Sequence, residues 1–363
     1  MPLNRVILWI TACGILLGAA DRIAGNRLKL GEKFEEGFQT MGALALSMVG
    51  IVCLAPVIAR LLKPVAAPLF HLLGADPAML GAILANDMGG YTLAVALAEE
   101  EQAGLLSGCI VASMLGCTLV FTIPVGLGLL EQRQLPEFCR GLLIGLITVP
   151  VGGFVGGVTA GFALTPLLHD LLPVTLFSLL LAAGLKWIPD RMIRGCAFFG
   201  KGITAVAVAG LGIAGFSSLT GVSLIRDMTS VTDAMQTVGS IAVVLAGAFP
   251  LLTLLTAILK KPLSLLGNRL GLDADSTAGL IFGMANAIPV FSMMKKMDRR
   301  GVTVNTAWLV SASAVLGDHL GFTAGVRPDM IVPVIVGKLS AGAAALALAL
   351  LLTREKEQKE KGV

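Results

Sequence analysis

The chain has 363 residues, of which 56% are hydrophobic and 14% are charged, and its mean hydropathy is +0.87. This composition excludes an ordinary soluble domain, in which about 25% of residues are charged. The net charge of +4 lies mostly in short loops and at the end of the chain, so we expect no nucleic acid partner. The sequence therefore predicts an all-α polytopic membrane protein surrounded by lipid.

Apolar segments follow one another along the chain, and most are long enough to cross a hydrocarbon core of ~30 Å as a helix. They lie at 6–20, 41–62, 78–98, 105–130, 141–164, 171–188, 198–217, 236–258, 276–294, 304–324 and 330–353. We interpret the first segment as a membrane span and not as a signal peptide, because many further apolar segments follow it. The expected architecture has about 9–11 membrane segments.

A charged, amphipathic stretch, Gly31–Phe38, comes directly before the second apolar segment. Such a stretch favours a helix that lies on the membrane surface. The alternative is that it gates the inner mouth of a pathway.

Two apolar segments contain helix-breaking residues. Segment 78–98 is interrupted by Asn86-Asp87-Met88-Gly89-Gly90, and segment 276–294 by Asn286-Ala287-Ile288-Pro289. The backbone amide and carbonyl groups of a broken helix are tolerated in a membrane only where they line a cavity. We therefore expect both breaks to border a site.

The two breaks correspond when the chain is compared with itself at an offset near 200. Ala85-Asn86 then matches Ala285-Asn286, Ala112-Ser113 matches Ala312-Ser313, and Leu115–Thr122 matches Leu316–Thr323. The sequence predicts internal repeats at approximately 41–164 and 236–353, followed by a charged tail at 354–363.

Loop charges indicate how the two halves are oriented. With the tail in the cytoplasm, the basic loop Lys295–Arg300 is also inside, and Lys260-Lys261 is inside as well if segment 276–294 is re-entrant. The same treatment of segment 78–98 places Glu99–Glu101 outside, so the halves have opposite orientations. Inverted repeats with discontinuous helices are typical of secondary transporters that bind their ligand near the midplane.

Asp87 lies at the first break, where a carboxylate costs roughly 2.5–3.5 kcal/mol on insertion scales. It is therefore expected to face protein, water or a cation, and with Asn86, Gly89 and Gly90 it forms a candidate binding wall. The structural alternative is that Asp87 only caps the second half-helix. Asn86 and Asn286 offer amide groups suited to a hydroxyl ligand, or they satisfy broken-helix backbone.

Asp318 and His319 interrupt a later apolar run whose repeat-related counterpart carries no charge. Lys338, inside the last apolar segment, is an available partner for Asp318. The pair could be structural, with each charge neutralising the other. It could instead be functional, with Lys338 replacing a coupling ion or exchanging protons with Asp318. His319 either orients a neighbour or takes part in proton linkage. The cysteines show no metal-binding spacing, so no metal or cofactor is expected.

Polar blocks within the apolar segments resemble those of the ethanolamine-utilisation permease family over essentially the whole chain. The blocks that carry the resemblance are Phe34–Phe38, Asp87-Met88-Gly89-Gly90, Ala285-Asn286 with Ile288-Pro289, Met293–Gly301, Leu316–Phe322 and Ile335–Leu339. The departures are shorter connections around residues 24–33 and 217–233.

The resemblance implies uptake of ethanolamine across the bacterial inner membrane. Ethanolamine is a small ammonium with one hydroxyl, and Asp87, Asp318 and Asn286 supply the acidic and amide groups that would bind it. The sequence leaves a homo-oligomer open.

Three alternatives remain at this point. One is a sodium- or proton-coupled carrier of another small amine. The second is an intramembrane aspartyl protease, which the sequence disfavours because Val315 stands where the GxGD signature needs glycine, so we expect no enzyme. The third is a membrane anchor or receptor, which would not require broken helices.

Overall fold

The computed structural model describes residues 3–84 and 89–360, and all regular structure in them is helical. The α-helices are α1 (Leu3–Ile23), α2 (Leu30–Leu44), α3 (Gly50–His71), α4 (Met79–Ile83), α5 (Gly90–Leu97), α6 (Glu101–Leu105), α7 (Ile123–Leu129), α8 (Leu135–Thr159), α9 (Leu164–Trp187), α10 (Pro189–Thr220), α11 (Val231–Leu270), α12 (Ala274–Ala285), α13 (Ala287–Met293), α14 (Arg299–Ala312), α15 (Asp318–Val326) and α16 (Ile331–Glu360). Wider π-helical turns at Ala45–Val49, Leu106–Gly116 and Thr118–Thr122 join α2 to α3 and α6 to α7.

Among the described residues, 8 helical stretches are long and apolar enough to cross a membrane. They are Leu3–Ile23, Leu30–His71, Glu101–Leu129, Gln132–Thr159, Leu164–Trp187, Pro189–Thr220, Val231–Ile258 and Pro328–Thr353. The prediction of an all-α polytopic membrane protein is confirmed. Three further elements, the pairs α4–α5, α12–α13 and α14–α15, are helices interrupted part of the way along.

Contacts between distant residues define the two ends of the helical bundle. At one end, Asn4 donates to the Asp329 carbonyl at 2.7 Å, and Arg327 pairs with Glu101 at 2.6 Å. We call this the Arg327 end. At the opposite end, which we call the Lys295 end, Arg133 donates to the carbonyl of Lys295 at 3.4 Å.

The first broken pair, α4–α5, is a hairpin that starts and finishes at the Arg327 end. Its arms are in close contact, since a Cβ atom added at Gly81 would lie 2.6 Å from the Cα of Ala94. The Asp76 carboxylate closes the base, because it accepts hydrogen bonds from the backbone N–H of Glu99 at 3.0 Å and of Glu100 at 2.8 Å. Glu101 then begins the span that reaches the opposite end.

The second broken pair, α12–α13, starts and finishes at the Lys295 end. Asp273 caps α12 by accepting from the Ser276 N–H at 2.6 Å, and its other oxygen accepts from the Asp298 N–H at 3.2 Å. One carboxylate thus joins both arms of the hairpin, as Asp76 does in the first. The two hairpins enter the bundle from opposite ends.

The core lies where α8, α14 and α16 pack together with the π-helical stretch Leu106–Gly116. Close approach of α8 and α16 requires glycine, since a Cβ atom at Gly152 would lie 2.7 Å from the Gly337 carbonyl oxygen. Small residues of this kind let helix backbones meet inside a membrane, where burial of apolar surface supplies little driving force.

The interpretation of Gly31–Phe38 as a surface-lying helix is wrong. The stretch lies within the helix that runs from Leu30 to His71, and it packs against α1 and α11. A Cβ atom at Gly37 would overlap the backbone of Ala246 in α11, so this part of α2 is inserted among the other helices. Its amphipathic pattern reflects one side facing protein and one side facing the solvent at the Lys295 end.

Candidate functional site

The apolar run at 304–324, which the sequence predicts to be uninterrupted, is broken between Ala312 and Asp318. Ala314 has a positive φ of 53°. Its N–H donates to the Gly283 carbonyl and that of Leu316 donates to the Met284 carbonyl, both at 2.9 Å. The last turn of α12 therefore satisfies the backbone of the break, which makes irregular structure tolerable at membrane depth.

The breaks in α12–α13 and α14–α15 are in contact. A Cβ atom added at Gly317 would overlap the carbonyl oxygen of Ala285, so only glycine fits this crossing. Asn286 directly follows Ala285, and Asp318 directly follows Gly317. Two of the residues predicted to bind ligand thus flank a single crossing point.

Asn286 has extended backbone, and its Oδ1 accepts a hydrogen bond from the Ile288 N–H at 2.9 Å. This contact caps α13, which is the structural role that the sequence left open for this asparagine. Asn286 also lines a cavity of about 280 Å³. The Asn286 side chain therefore stabilises the start of α13 and also forms part of the cavity wall.

This cavity is bounded by the second hairpin, by α11 and by α2. It is lined by Lys33, Glu36, Phe249, Leu252, Thr253, Leu255, Thr256, Ile281, Phe282, Met284, Ala285, Asn286, Pro289 and Leu316. Lys33 and Glu36 form an ion pair at 2.5 Å, and both side chains are partly exposed. The cavity therefore opens toward the Lys295 end. The charged turn of α2 lies at this opening, and gating of the inner mouth is the alternative role that the sequence leaves open for that turn.

Asn86 and Asp87 lie outside the described residues, whereas Gly89 and Gly90 are buried at the start of α5. Beyond them, Tyr91 makes an edge-to-face contact with Phe322 of α15, with ring centroids 5.8 Å apart. The second arm of the first hairpin thus packs against the helix that Asp318 begins.

His319 and Lys338 are buried, with 2% and 0% of their surface exposed. Nδ1 of His319 lies 3.2 Å from the Ser313 carbonyl oxygen, and Nζ of Lys338 donates to the Ser113 carbonyl at 2.7 Å. The two serines are about 200 residues apart, which is the offset at which the sequence predicts a repeat. Asp318 is partly buried in the first turn of α15.

The break at 313–317 and the π-helical stretch Leu106–Gly116 are the parts of the site that sequence reasoning missed. Proline is absent from both segments, so neither carries the strongest helix-breaking signal. The available signals were the glycine before Asp318 and the serines at 113 and 313. The backbone carbonyl of each serine lies beside a buried basic side chain, Lys338 and His319 respectively.

At the Arg327 end, Arg327 joins several elements. It pairs with Glu101 of α6 and, through Nε, with Asp329 at 3.0 Å. The hydrogen bond with Glu101 raises the pKa of Arg327, which keeps the guanidinium charged. Since Tyr91 is also within reach of this guanidinium, the first hairpin, α6 and α15 are tied together here.

Comparisons with known proteins cover most of the chain. The family model described as "Ethanolamine utilisation protein, EutH" matches residues 3–352. The "Probable ethanolamine permease EutH" of Listeria monocytogenes is 46% identical over 343 residues, which are 94% of this chain and 92% of that protein. The protein of the same name from Escherichia coli is 40% identical over 381 residues, covering 94% and 93%. No solved structure matches.

Proposed function

Since the chain belongs to the ethanolamine utilisation (EutH) family, we propose that it carries ethanolamine across the bacterial inner membrane into the cell. Its relatives are named as permeases, and the chain is accordingly a transporter and not an enzyme. Eight apolar helical stretches among the described residues make it a multi-pass membrane protein.

The crossing of two broken helices is the observation that carries this proposal. The backbone groups at 313–317 bond to the last turn of α12, and the Asn286 cavity lies beside them. Such a place provides amides, carbonyls and a side-chain carboxylate within the membrane, and these are the groups that a small ammonium with a hydroxyl requires.

In the proposed site, Asp318 and Asp87 provide negative charge for the ammonium, and Asn286 and Asn86 bind the hydroxyl. Gly89 and Gly90 allow the ligand to approach the backbone of the first break. The carboxylates lose their hydration when they are buried, and a bound ammonium compensates for this loss. Cationic ligands are therefore favoured over neutral ones.

We also propose that residues 41–164 and 236–353 form inverted repeats. Support comes from the hairpins, which are closed by Asp76 and by Asp273 at opposite ends of the bundle. The Lys295 end is the more basic, and the positive-inside rule assigns it to the cytoplasm together with the tail at 354–363. Basic residues at this end include Arg22, Lys33, Arg133, Arg140, Lys186, Arg191, Lys295, Lys296, Arg299 and Arg300.

The test is uptake of radiolabelled ethanolamine into liposomes that contain the purified protein. We expect saturable uptake, reduced by excess unlabelled ethanolamine, and no uptake into protein-free liposomes. Absence of uptake under every sodium and proton gradient would contradict the proposal. If another small amine is taken up and ethanolamine does not compete with it, the chain is a carrier for that amine instead.

A further inference from the structure

Lys338 is fully enclosed, and it lies about two turns after the start of α16 at Ile331. A lysine at this depth is costly, by roughly 2.5–3.5 kcal/mol on insertion scales, unless its charge meets compensating groups. An alkyl side chain at this position would fill the space without that cost. The presence of an amine therefore points to a role for its charge.

One partner of Lys338 is a backbone carbonyl in an irregular helix. Its Nζ donates to Ser113 at 2.7 Å, within the π-helical stretch Leu106–Gly116. Short π-helical segments occur frequently at functional sites, and this one is unusually long. Its carbonyl provides the kind of oxygen ligand that binds a cation.

Lys338 also lies at the level of the broken helix α14–α15. Gly342, one turn further along α16, packs against the last residue of α14, since an added Cβ atom would lie 2.8 Å from the Ala312 Cβ. The start of α14 (Arg299) and the late part of α16 (Leu352) both contact the start of α8, so α14 and α16 are antiparallel. Lys338 therefore lies at the level of the residues that follow Ala312, where the break begins. The ammonium therefore stands between the π-helical stretch of the first half and the break of the second.

We propose that Lys338 is a tethered cation that takes the place of a coupling sodium ion, so that transport proceeds without sodium. In secondary transporters, carbonyls of unwound helices near the midplane coordinate the coupling ion. Here the lysine ammonium is bound to such a carbonyl and permanently takes the position of the ion. This inference rests on the proposed transport function, and it specifies the ion dependence of that transport.

The first test compares wild-type uptake of ethanolamine into liposomes in sodium and in potassium buffers. Equal rates are expected, and a requirement for sodium would overturn the proposal. The second test uses Lys338→Ala, which removes the ammonium and opens space beside Ser113. We expect its uptake to fall about tenfold in potassium and to recover in sodium, a coupling of ordinary size. Lys201→Ala, which changes an exposed lysine of α10, is the matched control and should behave as wild type.

Binding of radioactive sodium to the purified proteins gives a readout that does not involve ethanolamine. Wild type and Lys201→Ala are expected to bind no sodium, and Lys338→Ala is expected to bind it saturably. Sodium binding by wild type, or none by a folded Lys338→Ala, would overturn the tethered-cation proposal. If Lys338→Ala does not fold, the sodium binding and the sodium dependence of uptake measured for the wild type decide whether the proposal stands. Failure of transport itself appears separately, as absence of ethanolamine uptake in every buffer.

Discussion

Asp318 occupies the first position of α15, directly after the glycine that contacts Ala285. The N-terminus of a helix stabilises a carboxylate through its unsatisfied N–H groups and its dipole. Asp318 thus lies at the crossing of two broken helices and in the field of a helix N-terminus. A charged group in this position suits a ligand that carries an ammonium.

At this scale we predict that Asp318→Asn abolishes the thermal stabilisation of the protein by ethanolamine. The substitution keeps the shape of the side chain but removes its charge, and loss of one member of a desolvated ion pair costs about 2–5 kcal/mol. The measurement is the melting temperature in detergent with and without ligand. Asp87→Asn is expected to have the same effect.

Asp190→Asn is the matched control, because Asp190 is exposed in the first turn of α10. It should retain the full ligand-induced shift. Undiminished shifts in both Asp318→Asn and Asp87→Asn would show that the carboxylates do not bind the ammonium.

Individual residues were predicted from sequence to different degrees. The break at Asn286 was predictable because asparagine and Pro289 interrupt an apolar run. The break before Asp318 was not, because its N–H groups are satisfied by Gly283 and Met284, which are about 30 residues away in sequence. Tertiary hydrogen bonds of this kind leave no local pattern.

At the scale of elements, the broken helices are held in place by close backbone contact. The crossing of α12 and α14–α15 depends on Gly317, and that of α8 and α16 depends on Gly152. The fold class was predictable from hydropathy, since apolar segments must become helices to satisfy their backbone in lipid. The insertion of α2 among the other helices was not predictable, because an amphipathic pattern does not distinguish a lipid surface from a protein surface.

We predict that Gly317→Ala lowers the melting temperature and greatly reduces ethanolamine uptake. Its methyl group would overlap the Ala285 carbonyl oxygen, and overpacking of this kind costs about 1–3 kcal/mol. The melting temperature in detergent and the uptake rate in liposomes are the two measurements.

Gly212→Ala in α10 is the control, because an added Cβ atom there meets nothing within 4 Å. Alanine also has the higher helix propensity, by about 1 kcal/mol, so this variant should be at least as stable as wild type. If the two variants behave alike, the crossing is not the tight contact described above.

At the scale of the whole molecule, the arrangement is asymmetric between its two ends. The Arg327 end has Glu99, Glu100 and Glu101 at the base of the first hairpin, and the Lys295 end has Lys295 and Lys296 at the base of the second. By the positive-inside rule, we expect the more basic Lys295 end to lie in the cytoplasm. The comparison of the chain with itself predicts which segments correspond, whereas the contacts at the two ends are seen only in the folded chain.

We predict that the bases of the two hairpins are exposed on opposite sides of the membrane. In a variant without native cysteines, Glu100→Cys should react with an impermeant maleimide in intact spheroplasts, whereas Lys296→Cys should react only after permeabilisation. Both positions are exposed at the surface. Labelling of both cysteines in intact cells would contradict the opposite entry of the hairpins.

The carboxylates of Asp76 and Asp273 have a mechanical consequence. Each one bonds to backbone N–H groups from both arms of its hairpin, so the base is clamped by several hydrogen bonds. The base of the second hairpin is therefore its fixed point, and any displacement of the hairpin must grow toward the tip. Asn286 lies at that tip, where a small rotation about the clamp produces the largest change in the width of the adjoining cavity.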